Sequence, residues 1–240
     1  MGSIVTIATS KGGGGKTALT TLLAANLAPR LRISVTDADR NASFATWYKL
    51  GYEGAAITCQ TEIRHVEVVD MLQAQAETHD LALCDTAGFE NQTAAMAIAT
   101  SDAVLIPCMA DRGTAREAIK TAKQVIACGK SARRAIPYYL VPIAWNPRGL
   151  AERATLEDLA EAEAGLGIKL PMLKQHISSS AEIKKMSYTG RVPLGGTIGL
   201  EADRLIAELT TLGVVPAKSA YPAGIPVQPD LLDAKQDAAG

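Results

Sequence analysis

Between positions 11 and 17 the chain reads Lys11-Gly12-Gly13-Gly14-Gly15-Lys16-Thr17, and what flanks this run limits the fold more than any other stretch. Residues 3–9 before it form a short β-branched apolar segment. Residues 17–28 after it hold no Gly or Pro, are rich in Ala and Leu, and stop before Pro29. That order predicts strand, tight loop, helix. Glycines let the backbone curl so that N–H groups point at an anion. A helix N-terminus adds partial positive charge at the same place. The segment therefore reads as a phosphate cradle running from Gly12 to Ala18. Lys16 is expected to reach the β- and γ-phosphates of a nucleotide, and the Thr17 hydroxyl to ligate Mg²⁺.

The ordinary P-loop spacing, G-x-x-x-x-G-K-[ST], requires Gly at position 10, where this chain has Ser10. A variant, Lys-Gly-Gly-x-Gly-Lys-Thr, fits instead. This variant resembles the deviant Walker A motif of the ParA/MinD superfamily of ATPases. The resemblance implies that Lys11 crosses a dimer interface to touch the partner's ATP, so that ATP is sandwiched between two subunits. It also implies a P-loop NTPase fold. The superfamily often has Val where Gly14 stands, and the sequence offers no reason for the change.

Strand-like and helical runs alternate along the chain, which predicts an α/β fold with a mostly parallel twisted sheet covered by helices on both faces. Strands are expected at 33–37, 55–60, 81–84, 103–107, 138–145 and 170–173. Helices are expected at 42–50, 62–77, 91–100, 114–128, 150–164, 179–188 and 200–212. Residues 1–215 read as one ATPase domain. Residues 216–240, with four Pro, many Ala and scattered charge, read as a disordered tail.

A bound triphosphate needs Mg²⁺ held by carboxylates at strand ends. Asp85 ends the run Leu83-Cys84-Asp85-Thr86-Ala87-Gly88, a Walker B position. This stretch resembles the superfamily's Asp-[Thr/Ser]-[Pro/Ala]-[Ala/Gly] pattern, which makes Gly88 a γ-phosphate sensor. Asp37 and Asp39 close the second strand, where the superfamily carries Asp-x-Asp. By that resemblance Asp39 positions or activates the attacking water and Asp37 lies near the metal. Arg40-Asn41 replaces the Pro-Gln that often follows. Lys11, Lys16 and Asp39 make the catalytic set, and Thr17, Asp37 and Asp85 the metal set. Asp111, before a helix, resembles the family's Asp-capped element. Asn146-Pro147-Arg148 follows a strand where the family often contacts adenine, so Asn146 and Arg148 are either base contacts or a plain turn.

Net charge is −1 at pH 7, so attraction to nucleic acid has to come from local patches. Arg112, Arg116, Lys120 and Lys123 recur at helical spacing and share one face. Lys130, Arg133 and Arg134 extend it. A second basic stretch includes Lys169, Lys174, Lys184, Lys185 and Arg191. Little aromatic residue interleaves them, which favours phosphate contact with duplex DNA over stacking on single strands. A solvated helix face is the alternative. The four cysteines, Cys59, Cys84, Cys108 and Cys128, form no C-x-x-C and read as free thiols. His65, His79 and His176 have no metal-ligand spacing. Trp47-Tyr48 reads as packing, and Ser178-Ser179-Ser180 as a helix cap.

The resemblance, on residues 3–215, implies a ParA-like ATPase: an ATP-sandwich homodimer on non-specific duplex DNA that drives plasmid or chromosome partition. A small ParB-like centromere-binding partner stimulates hydrolysis. Such a protein is cytoplasmic and nucleoid-associated, and neither a signal peptide nor a bilayer-length apolar run contradicts this. Four other readings belong beside it. A MinD-like membrane-cycling ATPase needs a basic amphipathic C-terminal helix, which the Pro-containing tail does not offer. An iron–sulfur reductase of the same superfamily needs paired cysteines after Asp85. A dethiobiotin-synthetase-like enzyme lacks the early lysine. The fourth is a DNA-transfer accessory ATPase of a conjugative system, or a DNA-binding accessory there that does not catalyse, which ATPase assays with and without DNA separate from the first reading.

Overall fold

The computed structural model describes residues 1–10, 12–88 and 91–221. Lys11 lies outside the described residues, as do 222–240 of the expected tail. The chain runs β1 (Ser3–Ile7), α1 (Lys16–Leu27), β2 (Ile33–Ala38), α2 (Ser43–Lys49), β3 (Ile57–Thr61), α3 (Glu67–Thr78) and β4 (Leu81–Thr86). It continues α4 (Gln92–Thr100), β5 (Ala103–Cys108), α5 (Arg112–Ser131), β6 (Tyr138–Pro142), α6 (Leu150–Leu166), α7 (Ala181–Thr189) and α8 (Gly196–Thr211).

The six strands form one sheet in the order β3-β2-β4-β1-β5-β6, with every pair parallel. Every residue of β2, β4 and β5 is buried, as strands covered on both faces must be. Alternate side chains divide between the two faces. Leu81, Leu83 and Leu105 point into a core shared with α1, α2, α7 and α8. Val104 and Ile106 point into a core shared with α5 and α6, and Ala82 and Cys84 into one shared with α3 and α4. The helices therefore divide as α1, α2, α7 and α8 on one face and α3 to α6 on the other.

Helix α1 is buried almost all round, its Leu and Ala residues spread over every face and Thr20 and Thr21 buried among them. Leu23, 1% exposed, sits in the middle of it. Its truncation to Ala removes a full core side chain and is expected to cost about 2–5 kcal/mol. By contrast α5 is amphipathic: Ala115, Ala118, Ala122 and Val125 are buried while Arg116, Lys120 and Lys123 are exposed.

Three expected elements differ. The strand expected at 170–173 is reduced to isolated bridges, Leu140 with Met172 and Ile143 with Ile177, because Pro171 has no N–H for a ladder. The helix expected from residue 62 begins at Glu67. Glu62 instead accepts hydrogen bonds from Arg64 N, Nε and Nη2 at 2.9, 3.0 and 2.7 Å, which fixes a turn. The last helix starts at Gly196 rather than 200, since a Cβ on Gly199 would fall 2.6 Å from the Leu194 carbonyl carbon and only glycine continues the helix there.

The expected tail begins at 216, yet its first residues are fastened to the domain. Asp80 accepts from Ser219 Oγ at 2.7 Å and Ala220 N at 2.7 Å. The Tyr221 hydroxyl donates to the Glu77 carbonyl at 2.6 Å, and Arg32 lies 4.5 Å from the Tyr221 ring centre. Among the described residues no helix is long and apolar enough to cross a membrane.

Candidate nucleotide site

Strand order brings the sequence motifs together. In β1, β4 and β2, Ile7 pairs with Asp85 and Asp85 pairs with Asp37. The glycine loop after β1 and the carboxylates of β4 and β2 therefore open at one edge, outside the C-terminal ends of the strands, where parallel sheets bind ligands. A cleft of about 560 Å³ lies there, lined by Gly12 to Ala18, Asp39 and Asn41, by Ser43, Thr46 and Trp47 of α2, and by Ile183, Met186 and Ser187 of α7.

The loop needs glycine at two positions for a visible reason. Gly13 has φ +76°, and Gly15 has φ +83° with Ile143 Cδ1 at 2.0 Å from where a Cβ would stand. Gly15 is also the N-cap of α1 and supplies no side-chain cap. The first-turn N–H groups of α1 therefore lack a side-chain acceptor from the cap and face the cleft, the arrangement that binds anions. Gly14, between Gly13 and Gly15, is buried in the loop.

Lys16 is 6% exposed. Burial pulls its ammonium below the usual lysine range, while Asp85 and Asp39 oppose that shift. Asp85 is 1% exposed and its two carboxylate oxygens have no hydrogen-bond partner. Burial pushes its carboxyl up to about 7. The nearby Thr17 hydroxyl and Lys16 act in the lowering direction, and Asp37 and Asp39 in the raising direction. Two buried, unpartnered carboxylate oxygens are costly unless a cation meets them. The residues present thus fit a hard divalent cation at Asp85 and Thr17. Among the described residues no group of three or more His, Cys, Asp or Glu could hold a metal, so such an ion would take its remaining oxygens from phosphate and water.

Asp37 stands differently. Its Oδ1 accepts from Asp39 N at 3.1 Å and its Oδ2 from Ala45 N at 2.9 Å, so it joins β2 to the first turn of α2. Burial raises its carboxyl above the usual range, and these backbone bonds work against the rise. Asp39 is half-buried and faces the cleft. Its Oδ1 accepts from Asn41 N at 2.9 Å, and Ala42 follows at φ 46°, so Arg40-Asn41 forms a tight turn where proline often stands.

Asn146 and Arg148 do not line the cleft. Asn146 N donates to Glu152 Oε1 at 2.9 Å and Asn146 Oδ1 accepts from Arg148 N at 3.2 Å, the plain turn. Instead an apolar pocket of about 150 Å³ opens beside Gly15 and Ala18, walled by Met109, Ile143, Ile177, the Ser178–Ser180 segment and Ile183. Glu201 of α8 holds that wall, accepting from Ser178 N at 2.7 Å and Ser178 Oγ at 2.6 Å. Sequence reasoning missed this pocket and the α2 and α7 lining. Trp47 combines two roles: it packs in a cluster with Phe44, Tyr48 and Tyr52, and it lines the cleft.

Helices α5 and α7, which carry most of the two basic stretches, lie on opposite faces of the sheet. Arg112, Arg116, Lys120 and Lys123 are exposed along α5, with Arg112 3.6 Å from Asp158 of α6. Arg134 donates to the carbonyls of Ala99 and Ser101 at 2.8 and 2.5 Å, closing the end of α4. Lys184, Lys185 and Arg191 are exposed on and after α7. The cysteines are free; Cys84 and Cys108 are buried, and none lines the cleft. Burial pushes the Cys108 thiol up to about 12.

The family model described as VirC1 protein matches residues 2–151. The VirC1 protein of Rhizobium radiobacter is 31% identical over 140 residues, covering 56% of this chain and 61% of that protein. ParA of Rhizobium radiobacter is 28% identical over 105 residues, covering 43% of this chain and 47% of that protein. The matches thus span less than two thirds of these relatives' lengths. Among solved structures, apo McdA of Cyanothece has a TM-score of 0.74 at 16% identity, covering 87% of this chain and all of that one. MinD of Pyrococcus horikoshii, complexed with Mg-ADP, has a TM-score of 0.68 at 12% identity, covering 88% of this chain and 98% of that one. At such identities the likeness establishes the fold. The family model covers more than half of the chain, and this protein belongs to the VirC1 family, within the ParA/MinD superfamily of P-loop ATPases.

Proposed function

We propose that this chain is a ParA-like ATP hydrolase that binds Mg²⁺-ATP at the β1–α1 loop and assembles with a second copy around the nucleotide. The observation that carries the reading is Asp85: a buried carboxylate with no partner, beside Lys16 and facing an uncapped helix N-terminus. Lys16 and the α1 N–H groups hold the phosphates, Thr17 and Asp85 hold the metal, and the apolar pocket beside Gly15 takes the base. Bound Mg²⁺ neutralises charge on the phosphates. Asp39, on the cleft wall, orients the attacking water and accepts its proton. Asp37 holds the Asp39 turn to α2 and so positions that carboxylate. Lys11 reaches the partner's nucleotide, a role supported by the resemblance of its motif.

The dimer sits on duplex DNA, held non-specifically by Arg116, Lys120 and Lys123 of α5, and hydrolysis is a timer that opens it, prompted by a small ParB-like partner in plasmid or chromosome partition. The match to ParA of Rhizobium radiobacter supports this reading. A second reading is an accessory ATPase of conjugative DNA transfer, favoured by the family model that matches, VirC1. DNA co-sedimentation with ATP, with ADP and without nucleotide tests the shared core: retention only with ATP is expected, and equal retention in all three sinks it. A ParB-like protein that raises ATP turnover favours partition; stimulation only by a DNA-transfer complex favours the second reading.

A further inference from the structure

A run of four glycines has no side chains with which to hold itself, so its shape depends on what grips its two ends. The exit is gripped by α1. The entry is gripped from an unexpected direction, by the middle of α5, more than 100 residues away in sequence. Ser10 N donates to Thr121 Oγ1 at 3.2 Å. Ser10 Oγ donates to a carboxylate oxygen of Glu117 and lies 3.3 Å from the Glu117 carbonyl. Thr121 Oγ1 in turn donates to the Glu117 carbonyl at 2.7 Å, which closes the ring of bonds. Thr121 is fully buried, and Ser10 and Glu117 are half-buried.

Helix α5 is a firm anchor. Asp111 caps it, accepting from Thr114 N at 2.8 Å and Thr114 Oγ1 at 2.5 Å, and its apolar face packs under β5. The bonded position is also the one where the ordinary P-loop has its first glycine. Here a side chain replaces conformational freedom with an attachment.

We propose that Glu117 and Thr121 are positioning residues for the nucleotide site: through Ser10 they set the course of the glycine loop, and so its affinity for the phosphates. The inference rests on the nucleotide reading above. A charge-assisted bond to a half-buried carboxylate is worth about a tenfold change in an equilibrium. Neither residue lines the cleft, so their loss acts on binding through Ser10.

The test compares the full chain with Ser10→Ala, Glu117→Ala, the double variant and Glu117→Gln, each titrated with Mg²⁺-ATP by calorimetry and assayed for turnover. Ser10→Ala and Glu117→Ala should each weaken binding about tenfold and raise KM for ATP, with kcat changed less than twofold. The double variant should be no worse than either single one, because both delete the same link. Glu117→Gln keeps an acceptor and should restore most of the affinity, a rescue that a general packing defect would not show. Wild-type affinity in Ser10→Ala, or additive losses in the double variant, would overturn the proposal while leaving the nucleotide reading intact. If the unaltered chain binds no ATP, both fail together.

Discussion

Asp37 and Asp85 are register partners on adjacent parallel strands, yet only Asp37 has its oxygens satisfied. One carboxylate is part of the scaffold; the other is left for a ligand. That difference sets how the empty protein should respond to pH. The Asp85 carboxyl titrates at about 7 when folded and near 4 when unfolded. The folded form therefore holds more protons between those values, and stability falls as pH rises through that window, then levels off. Asp85→Asn should flatten the slope and stabilise the nucleotide-free protein above pH 7 by roughly 2–4 kcal/mol. Asp37, also raised by burial, leaves a residual slope of the same sign. Urea titrations at pH 5 and pH 8 read this directly, and an unchanged slope in the variant counts against it.

The same group predicts proton release on binding. With its carboxyl pushed up to about 7, Asp85 holds a proton in part of the molecules near neutral pH, and a neighbouring divalent cation expels it. Calorimetric titration of Mg²⁺-ATP at pH 7 should therefore give enthalpies that vary with the ionisation enthalpy of the buffer. The dependence should be much weaker at pH 8.5.

Lys16→Ala removes a buried ammonium between the loop and the carboxylates. Nucleotide affinity should fall by at least about 100-fold, equivalent to some 2.7 kcal/mol. Asp39→Ala should leave nucleotide affinity within about threefold of the unaltered chain and reduce turnover at least about 100-fold. Its ATP-bound form should accumulate as a long-lived dimer on DNA, visible by size-exclusion chromatography. Normal hydrolysis by Asp39→Ala would remove Asp39 from the water-positioning role.

Because α5 and α7 are on opposite faces of the sheet, paired charge reversals on them should separate the two basic stretches. Lys120→Glu with Lys123→Glu on α5 should abolish ATP-dependent DNA retention and make the salt dependence of any residual binding shallower by about 2. Lys184→Glu with Lys185→Glu on α7 should leave DNA retention largely in place. Lys184 borders the apolar pocket, so those variants are expected to shift nucleotide affinity instead. The reverse pattern would move the DNA face to α7.

The sheet was legible because strands buried on both faces read as uninterrupted apolar runs, as 81–84 and 103–107 do. The loop was legible because its glycines sit between a strand and a helix on the expected sides. Two other features depend on contacts between distant segments. The apolar pocket is walled by residues from the β1–α1 loop and α1, from the segments just after β5 and β6, and from α7, and Glu201 holds it from α8. Glu62 failed as a helix start because its carboxylate is committed to Arg64, and helical periodicity does not register such a bond. The grip of Glu117 on Ser10 is equally silent in sequence: a glutamate on an otherwise basic helix reads as one more surface charge.

Asp80 joins parts of the chain that are far apart. Its carbonyl receives Ser3 N at 3.0 Å, its carboxylate receives Arg32 N at 2.8 Å, and the same carboxylate receives Ser219 and Ala220. The first strand and the segment after α8 thus meet at one residue, and residues 2–221 come close to a closed ring. A short linker between residues 221 and 2 should bridge that seam, and new ends could be cut between the exposed Glu53 and Gly54 on the way to β3. A reporter fused at those ends would sit between α2, whose Trp47 borders the cleft, and β3, the edge strand of the sheet.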